Sequence, residues 1–364
     1  SHGPAIDLAE KLIEIAPVPM SKVFYTNSGS EANDTIVKMV WYRSNALGKP
    51  EKKKIISRLR GYHGVTVAAA SMTGLPYNHK SFDLPMEGIL HTTCPHYWRE
   101  GQDGESEEAF ASRCAQDLDD MIQSEGPETV AAFIAEPVMG AGGVVVPPAT
   151  YWEKIQAVLA KYDILLIADE VICGFGRTGK MFAIDHWGVV PDIMTVAKGI
   201  ISSYLPLAAA VVSEEVATPF AGKDNYLKHV FTSSGHPVSA AAALKNIEII
   251  EEENLVANAA KVGAYFKNKL TELKDSQPLI GDVRGLGLLL AVELVSDPVT
   301  RKGFPKEFRI GDRLNEKFRQ DGLIFRAGNE ILNFGPPLCI TEPEVDEIVE
   351  ALERALKELN LEWA

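Results

Sequence analysis

The stretch DILLIADEV (163–171), followed by PDIMTVAKG (191–199), decides the fold class of this chain. Each half is a short apolar run that delivers a charged residue at its end, Asp169 in the first and Lys198 in the second. Nearly continuous apolar runs bounded by turn residues are typical of strands buried on both faces. Because open α/β sheets bind ligands beyond the carboxyl ends of their strands, both charged residues are predicted to lie at a ligand crevice.

Similar runs recur along the first two thirds of the sequence and alternate with longer helical stretches. Their spacing suits strand–helix–strand crossovers, which predicts a doubly wound α/β domain with a mainly parallel sheet. The predicted strands are 23–26, 54–57, 131–134, 164–168, 193–196 and 207–212.

The pattern changes after about Gly235, where one long helical stretch is predicted over 237–273. A strand-like run over 288–294 follows, and then a helix, further strands and a closing helix. We therefore predict a large α/β domain at 1–236 and a smaller α+β C-terminal domain at 237–364.

The composition is that of an ordinary globular protein, with 46% hydrophobic and 24% charged residues among 364. A formal net charge of −14 opposes nucleic acid and anionic membranes as partners. The four cysteines are far apart and form no C-x-x-C pair, so free thiols and no metal site are expected. With no membrane span and no signal peptide in this sequence, a cytoplasmic enzyme is expected.

The start of the sequence is unusual. Ser1 stands where an initiator Met is expected, and the chain runs straight into an amphipathic helix pattern over 5–15. An earlier N-terminal segment is therefore expected to be missing, and a tag remnant or a processed end is the alternative.

A lysine and a carboxylate at neighbouring strand ends supply what a pyridine aldehyde cofactor needs. Lys198 can form a Schiff base with the aldehyde, and Asp169 can hold the ring nitrogen protonated. The protonated ring is then an electron sink for the substrate carbon. A structural salt bridge would use the same two residues, so the contacts to phosphate and ring must decide.

Two glycine-containing motifs supply such contacts. In TNSGSEAN (26–33) a strand end turns into a helix, so Gly29 permits a tight turn and Ser30 adds a hydroxyl to an anion site. In GYHG (61–64) Tyr62 and His63 stand between glycines, where an aromatic ring could stack on a planar cofactor. Helix capping and a turn with a packed tyrosine are the alternatives.

Taken together and in order, the motifs resemble those of class III aminotransferases: NSGSEAN (27–33), YHG (62–64), AEPV (135–138), GAGGV (140–144), ADEV (168–171), GFGRTG (174–179), AKG (197–199) and SGHP (234–237). The resemblance implies a fold-type I pyridoxal-phosphate enzyme and a homodimer, with a dimer of dimers as an alternative. Within the class, the chain looks most like the ω-transaminase (amine:pyruvate) branch, on the stretches 140–152 and 169–179.

The resemblance implies pyridoxal 5'-phosphate as the cofactor, with Lys198 and Asp169 as the catalytic pair. It also implies Gly29 and Ser30 at the phosphate, and Tyr62, His63 and Val171 at the ring. Glu136 is implied at the hydroxyl side of the cofactor. Thr232 would reach the phosphate of the partner subunit's cofactor.

Arg326 is implied as the substrate-binding residue, because it matches the mobile arginine of this branch. A guanidinium pairs bidentately with a carboxylate, and its long side chain can swing aside for an uncharged amine. A surface arginine is the alternative for Arg326, and a plain loop threonine for Thr232. The chain departs from the branch at Ser203 and Ala208, where glycine is usual.

The predicted reaction transfers an amino group from an amine or ω-amino acid to a keto acid, with pyruvate as the expected acceptor. Within the class, the alternatives are ornithine or GABA aminotransferase, glutamate-semialdehyde aminomutase and dialkylglycine decarboxylase. A non-catalytic pyridoxal-binding or regulatory protein is the alternative outside it, and the intact pair of Asp169 and Lys198 opposes that reading.

Overall fold

The computed structural model describes residues 2–222, 225–325 and 327–363. Contacts within the chain group it into two compact units. The first unit comprises 1–142, 146–175 and 181–253. The second comprises 143–145, 176–180 and 254–364.

A seven-stranded sheet forms the centre of the first unit. Its strands, in chain order, are β1 (Lys22–Thr26), β2 (Lys54–Arg58), β3 (Ile89–Thr92), β4 (Val130–Ala135), β5 (Leu165–Asp169), β6 (Ile193–Val196) and β7 (Ala208–Val212). Across the sheet the order is β1-β7-β6-β5-β4-β2-β3. β7 pairs antiparallel with both of its neighbours, and the other pairs are parallel. The prediction of a fold-type I, mainly parallel α/β sheet is confirmed.

All six strands predicted for the large domain are present: the strand over 193–196 has the predicted bounds, and the ends of the other five differ by at most one residue. Every residue of β4, β5, β6 and β7 is buried, as expected for strands covered on both faces. β3 was not predicted. Only its two end residues are buried, and His91 interrupts its apolar character, so it carries no strand signal of the same kind.

The helices of the first unit are α1 (Gly3–Ile15), α2 (Gly29–Ala46), α3 (Val67–Met72), α4 (Tyr97–Glu100), α5 (Glu107–Glu125), α6 (Tyr151–Lys161), α7 (Glu214–Ala217) and α8 (Pro237–Glu252). α2 packs against β7 and β6, and α5 packs against α6. α1 packs along α8, where Lys11 pairs with Glu251 at 2.9 Å.

The single long helix predicted over 237–273 is wrong, because two helices occupy that range. α8 ends at Glu252, and α9 (Leu255–Ser276) begins after Asn254, whose backbone is left-handed with φ 51°. Asparagine tolerates that conformation better than most residues, so the chain can turn there without glycine or proline. α8 belongs to the first unit, whereas the sequence-based division at 236–237 assigns it to the C-terminal domain.

The second unit contains a three-stranded antiparallel sheet in the order β10-β9-β8. Its elements are α9, β8 (Ile280–Leu286), β9 (Leu289–Leu294), α10 (Ile310–Gln320), β10 (Ile331–Phe334) and α11 (Glu342–Trp363). β9 corresponds to the strand predicted over 288–294. The core of this unit is apolar and is built around Phe266, Leu290 and Leu352.

Across the described residues, no helix combines the length and the apolar character needed to cross a membrane.

Candidate active site

A cavity of about 440 Å³ lies in the first unit, where the parallel strands end. Segments that follow β1, β2, β4, β5 and β6 all contribute to its wall. The lining residues include eight of the predicted site residues: Gly29, Ser30, Tyr62, His63, Glu136, Asp169, Val171 and Lys198. Motifs that are far apart in sequence therefore meet at one place.

Lys198 lies just beyond β6 and lines this cavity with an exposed side chain. Its backbone φ of 42° is in the left-handed region, which is uncommon for a residue other than glycine. Within the described residues no ion pair joins its Nζ to Asp169, so the structure gives no support to a salt bridge between them. The amine is thus available for chemistry in the cavity.

Asp169 ends β5 and is only 3% exposed. Its Oδ2 accepts hydrogen bonds from Asn33 Nδ2 at 2.9 Å and from His63 Nδ1 at 2.8 Å. Its Oδ1 accepts one from the Val171 backbone N–H at 3.1 Å. A carboxylate has no proton to donate, so all three of these bonds are accepted by Asp169, and they hold its side chain in place.

The predicted anion site lies at the start of α2. Ser28 is the N-cap, and its Oγ accepts the Glu31 backbone N–H at 3.2 Å. Ser30 therefore is not the capping residue. Its Oγ accepts the Val65 N–H at 3.1 Å, which leaves the hydroxyl proton free to be donated to a ligand. Together with the helix dipole, this turn suits a phosphate.

Two glycines permit close packing around this turn. A Cβ on Gly64, whose φ is 133°, would lie 2.5 Å from Ser30 Oγ, closer than any real Cβ approaches. A Cβ on Gly29 would lie 3.1 Å from a Val171 methyl group. Gly64 therefore needs to be glycine to bring the motif backbones together, whereas a side chain at Gly29 would require Val171 to move by a few tenths of an ångström.

Glu136, which follows β4, is 2% exposed, and burial raises the pKa of its carboxyl group. The carboxylate accepts the Tyr62 backbone N–H at 3.0 Å and the Gly140 N–H at 2.8 Å. Its backbone carbonyl accepts a bond from the buried Arg58 at 2.5 Å. Within the described residues no hydrogen bond joins Glu136 to Asp169, so Glu136 holds the loop that carries Tyr62 and leaves Asp169 to other partners.

Val171 packs against the small side chains of Ala32, Ala197 and Ala208. Ala208, one of the two departures from the family pattern, is fully buried in this group, and its methyl group is accommodated there. Ser203, the other departure, lines the cavity with a left-handed φ of 60°. Glycine adopts that conformation without strain, so serine at 203 carries a small backbone cost.

The two remaining predicted residues are Thr232 and Arg326. Thr232 is exposed and is not among the lining residues. Arg326 lies outside the described residues.

Sequence reasoning missed Asn33 and Thr195, which are fully buried beside Asp169. Asn33 Nδ2 binds Asp169, and Thr195 Oγ1 donates to Asn33 Oδ1 at 2.8 Å. One signal was available: Asn33 closes the motif that contains Ser30, and a spacing of three places both on one side of a helix.

Glu170, next to Asp169, is fully buried, and burial raises its pKa to about 8. A raised acid pKa gives stability at low pH that is lost as pH rises from the unfolded-state value of 4.5 towards 8. The free energy of unfolding of Glu170→Gln minus that of the wild type should therefore be larger at pH 8 than at pH 5, by at least about 1 kcal/mol. Urea denaturation at both pH values measures this difference, and an equal difference at the two would contradict it.

The donor set of the cavity fits a phosphorylated pyridine aldehyde. An amine is available to bind the aldehyde carbon, a helix start with a free hydroxyl proton suits the phosphate, and a buried carboxylate held by three donors suits a protonated ring nitrogen.

Comparison with known proteins agrees with this chemistry. The family model for aminotransferase class III matches residues 1–356. The crystal structure of the omega transaminase from Pseudomonas jessenii in complex with PMP has a TM-score of 0.96 and 56% identity, covering 98% of this chain and 80% of that one. The mitochondrial gamma aminobutyrate transaminase 1 of Solanum lycopersicum is 49% identical, covering 98% of this chain and 70% of the relative. The diaminobutyrate–2-oxoglutarate transaminase of Halomonas elongata is 48% identical, covering 99% and 78%.

The fold and the cavity define a pyridoxal-phosphate-dependent transaminase. The chain belongs to the class III aminotransferase family. The prediction of a pyridoxal-phosphate aminotransferase is confirmed.

Proposed function

We propose that this chain transfers the amino group of an amine or an ω-amino acid to a keto acid, with pyruvate as the acceptor. The observation that carries the proposal is the cavity in which Lys198, Asp169 and the phosphate-type turn of α2 meet. The similarity to an omega transaminase over nearly the whole chain supports the choice of branch.

In this proposal each part of the cavity holds one part of pyridoxal phosphate. Gly29 and Ser30 bind the phosphate, and Asp169 binds the ring nitrogen. Tyr62 and Val171 enclose the ring. His63 acts through its bond to Asp169, and Glu136 acts through the loop that carries Tyr62.

When bound, the cofactor supplies a protonated ring that withdraws electrons from the substrate carbon. Lys198 Nζ is the group that would move the proton from that carbon to the C4′ carbon of the cofactor, and it would move a proton in the opposite direction in the second half-reaction. Asp169, held by its three donors, keeps the ring nitrogen charged throughout. The same residues serve both half-reactions, because the second reverses the first with a different substrate.

The cavity wall around Lys198 is largely apolar, with Ile172, Tyr204 and Leu205 among its members. No arginine lines it within the described residues. An uncharged amine suits such a wall, whereas the carboxylate of a keto acid needs a cation. From its motif, Arg326 is proposed as that cation, bound to the keto acid and moved aside for the amine.

A homodimer is proposed as the working assembly, with Thr232 of each subunit serving the phosphate site of the other. The exposure of Thr232 and of the apolar side chains Val65, Tyr204 and Val230 supports a covering partner. A cytoplasmic location is also proposed, on the basis of four unbridged cysteines.

A second candidate reaction uses 2-oxoglutarate as the acceptor. The name of the Halomonas relative motivates it, and that of the tomato relative makes gamma aminobutyrate a candidate donor. Single-turnover absorbance with pyruvate and with 2-oxoglutarate, each added to the amine form of the enzyme, decides between the acceptors. Faster reaction with 2-oxoglutarate would overturn the choice of pyruvate.

The Arg326→Ala variant should affect the two half-reactions unequally. The half-reaction with pyruvate loses a charge-assisted pair, on the order of 1.5 to 3 kcal/mol, or roughly ten- to more than a hundredfold in rate. The half-reaction with 1-phenylethylamine, which lacks a carboxylate, should change much less. Stopped-flow absorbance measures each half separately.

Arg354→Ala is the matched control, because Arg354 is an exposed arginine paired with Asp321 at 3.3 Å. It should leave both halves near the wild-type rate, since exposed ion pairs contribute little. Equal losses in both halves of Arg326→Ala would mean that this arginine serves the fold or the cofactor.

A further inference from the structure

Asn33 is a fully buried amide on α2 whose three hydrogen bonds reach three other segments of the first unit. Its Nδ2 donates to Asp169 Oδ2 at 2.9 Å and to the His63 carbonyl at 2.7 Å. Its Oδ1 accepts the Thr195 hydroxyl at 2.8 Å. The amide therefore links the helix of the anion turn to β5, β6 and the loop of residues 61–64.

The two oxygens of Asp169 are used unequally. Oδ2 accepts two hydrogen bonds, from Asn33 and His63, which fill both of its lone pairs. Oδ1 accepts one, from the Val171 N–H, so one of its lone pairs remains. Any further donor to this carboxylate is therefore directed to Oδ1.

Asp169, the His63 carbonyl and Thr195 together hold the Asn33 amide in one orientation. A flipped amide would bring Asn33 Oδ1 against Asp169 Oδ2 and the His63 carbonyl, which are both acceptors. The Thr195 hydroxyl donates to the amide oxygen in the observed orientation. Thr195 is also the partner of Asp169 across β5 and β6, so the sheet register places it at this point.

We propose that Asn33, oriented by Thr195, is a positioning residue that fills Oδ2 of Asp169 and so presents Oδ1 to the ring N–H of the cofactor. This inference rests on the proposed function, in which Asp169 binds the ring nitrogen. Without the Asn33 donor, Oδ2 keeps only the bond from His63, so the carboxylate is held less firmly against the ring nitrogen, which then loses its proton more readily.

The test uses holoenzyme loaded with pyridoxal phosphate that carries 15N at the ring, because the 15N chemical shift reports protonation directly. In Asn33→Leu, which has a similar size and no donor, the signal should move from the pyridinium position towards neutral pyridine. Thr195→Val should move it the same way by less, between the wild type and Asn33→Leu. An unchanged signal in Asn33→Leu overturns the proposal.

Thr195→Val decides the matter alone if Asn33→Leu fails to fold, and an unchanged signal there also overturns the proposal. Ser57→Ala is the matched control, because it removes another fully buried hydroxyl of the same sheet, which donates to the Met72 carbonyl at 2.6 Å. A shift of the signal in Ser57→Ala equal to that in Thr195→Val would assign the effect to general disturbance of the core.

Asp169→Asn in the same experiment separates failure of the proposed role of Asp169 from failure of the proposed role of Asn33. If it leaves the wild-type signal unchanged, the proposed role of Asp169 fails, and the role of Asn33 falls with it. If it shifts the signal while Asn33→Leu and Thr195→Val do not, only the role of Asn33 fails.

Discussion

Replacement of Lys198 by alanine is expected to abolish multiple-turnover transamination while the protein still binds pyridoxal phosphate. The side chain lines the cavity, and no ion pair holds it among the described residues, so its loss removes a reacting group and little of the structure. A positioned acid or base contributes about a hundredfold to ten-thousandfold, and Lys198 is also the nucleophile, so the loss should be at least about a thousandfold.

The expected binding follows from the other contacts, since the turn at Ser30 and the carboxylate of Asp169 do not depend on the lysine. Borohydride reduction followed by mass spectrometry should add the cofactor mass to the wild type and not to Lys198→Ala. Lys245→Ala, which removes an exposed lysine on α8, is the control and should behave as the wild type. Retention of most of the rate by Lys198→Ala would refute the assignment.

The strands that carry the site residues were predictable because a strand buried on both faces appears in the sequence as a run of apolar residues. β4 is a continuous apolar run that Glu136 directly follows, and β5 is apolar up to Asp169, its last residue; both polar residues line the cavity. β3 could not be found in this way, since half of its four residues are only partly buried. The break at Asn254 was missed because no glycine or proline marks it, and the left-handed turn depends on one asparagine.

Within the site, the predictable residues are those at the end of a strand or within two residues after it. Asp169 and Lys198 belong to this group, because parallel strands end at one edge. The contacts among Asn33, Thr195 and Asp169 were not predictable, since they depend on the register between β5 and β6 and on the direction of one face of α2. Such contacts are set by packing and leave no periodic signal in the sequence.

The close approach of Gly64 to Ser30 is another contact that could not be predicted from the sequence. The sequence indicates that glycines flank Tyr62 and His63, and it does not indicate which neighbour each glycine must admit. The structure assigns that neighbour, because a Cβ on Gly64 would overlap Ser30 Oγ. A close approach of the backbone at these glycines was therefore predictable, and the neighbour that comes close to Gly64 was not.

Asp169→Asn is expected to fold and to bind the cofactor, with a loss of at least about a hundredfold in rate, roughly 2.7 kcal/mol of transition-state stabilisation. The contacts of Asp169 give the reason. Two donors, Asn33 and His63, meet at the Oδ2 position, so the oxygen of the new amide is expected to occupy it. The NH₂ group then lies at the Oδ1 position, where it meets the Val171 N–H and offers the ring nitrogen a donor in place of an acceptor.

A ring nitrogen that faces a donor keeps no proton, so the electron sink is lost although the cofactor stays bound. The measurement is the single-turnover rate with amine at saturating pyridoxal phosphate, which separates weak binding from slow chemistry. Asp192→Asn is the matched control, since Asp192 accepts the Leu166 N–H at 2.7 Å outside the cavity and an amide oxygen can replace that acceptor. A near-normal rate in cofactor-saturated Asp169→Asn would show that the negative charge of this residue is not what the reaction requires.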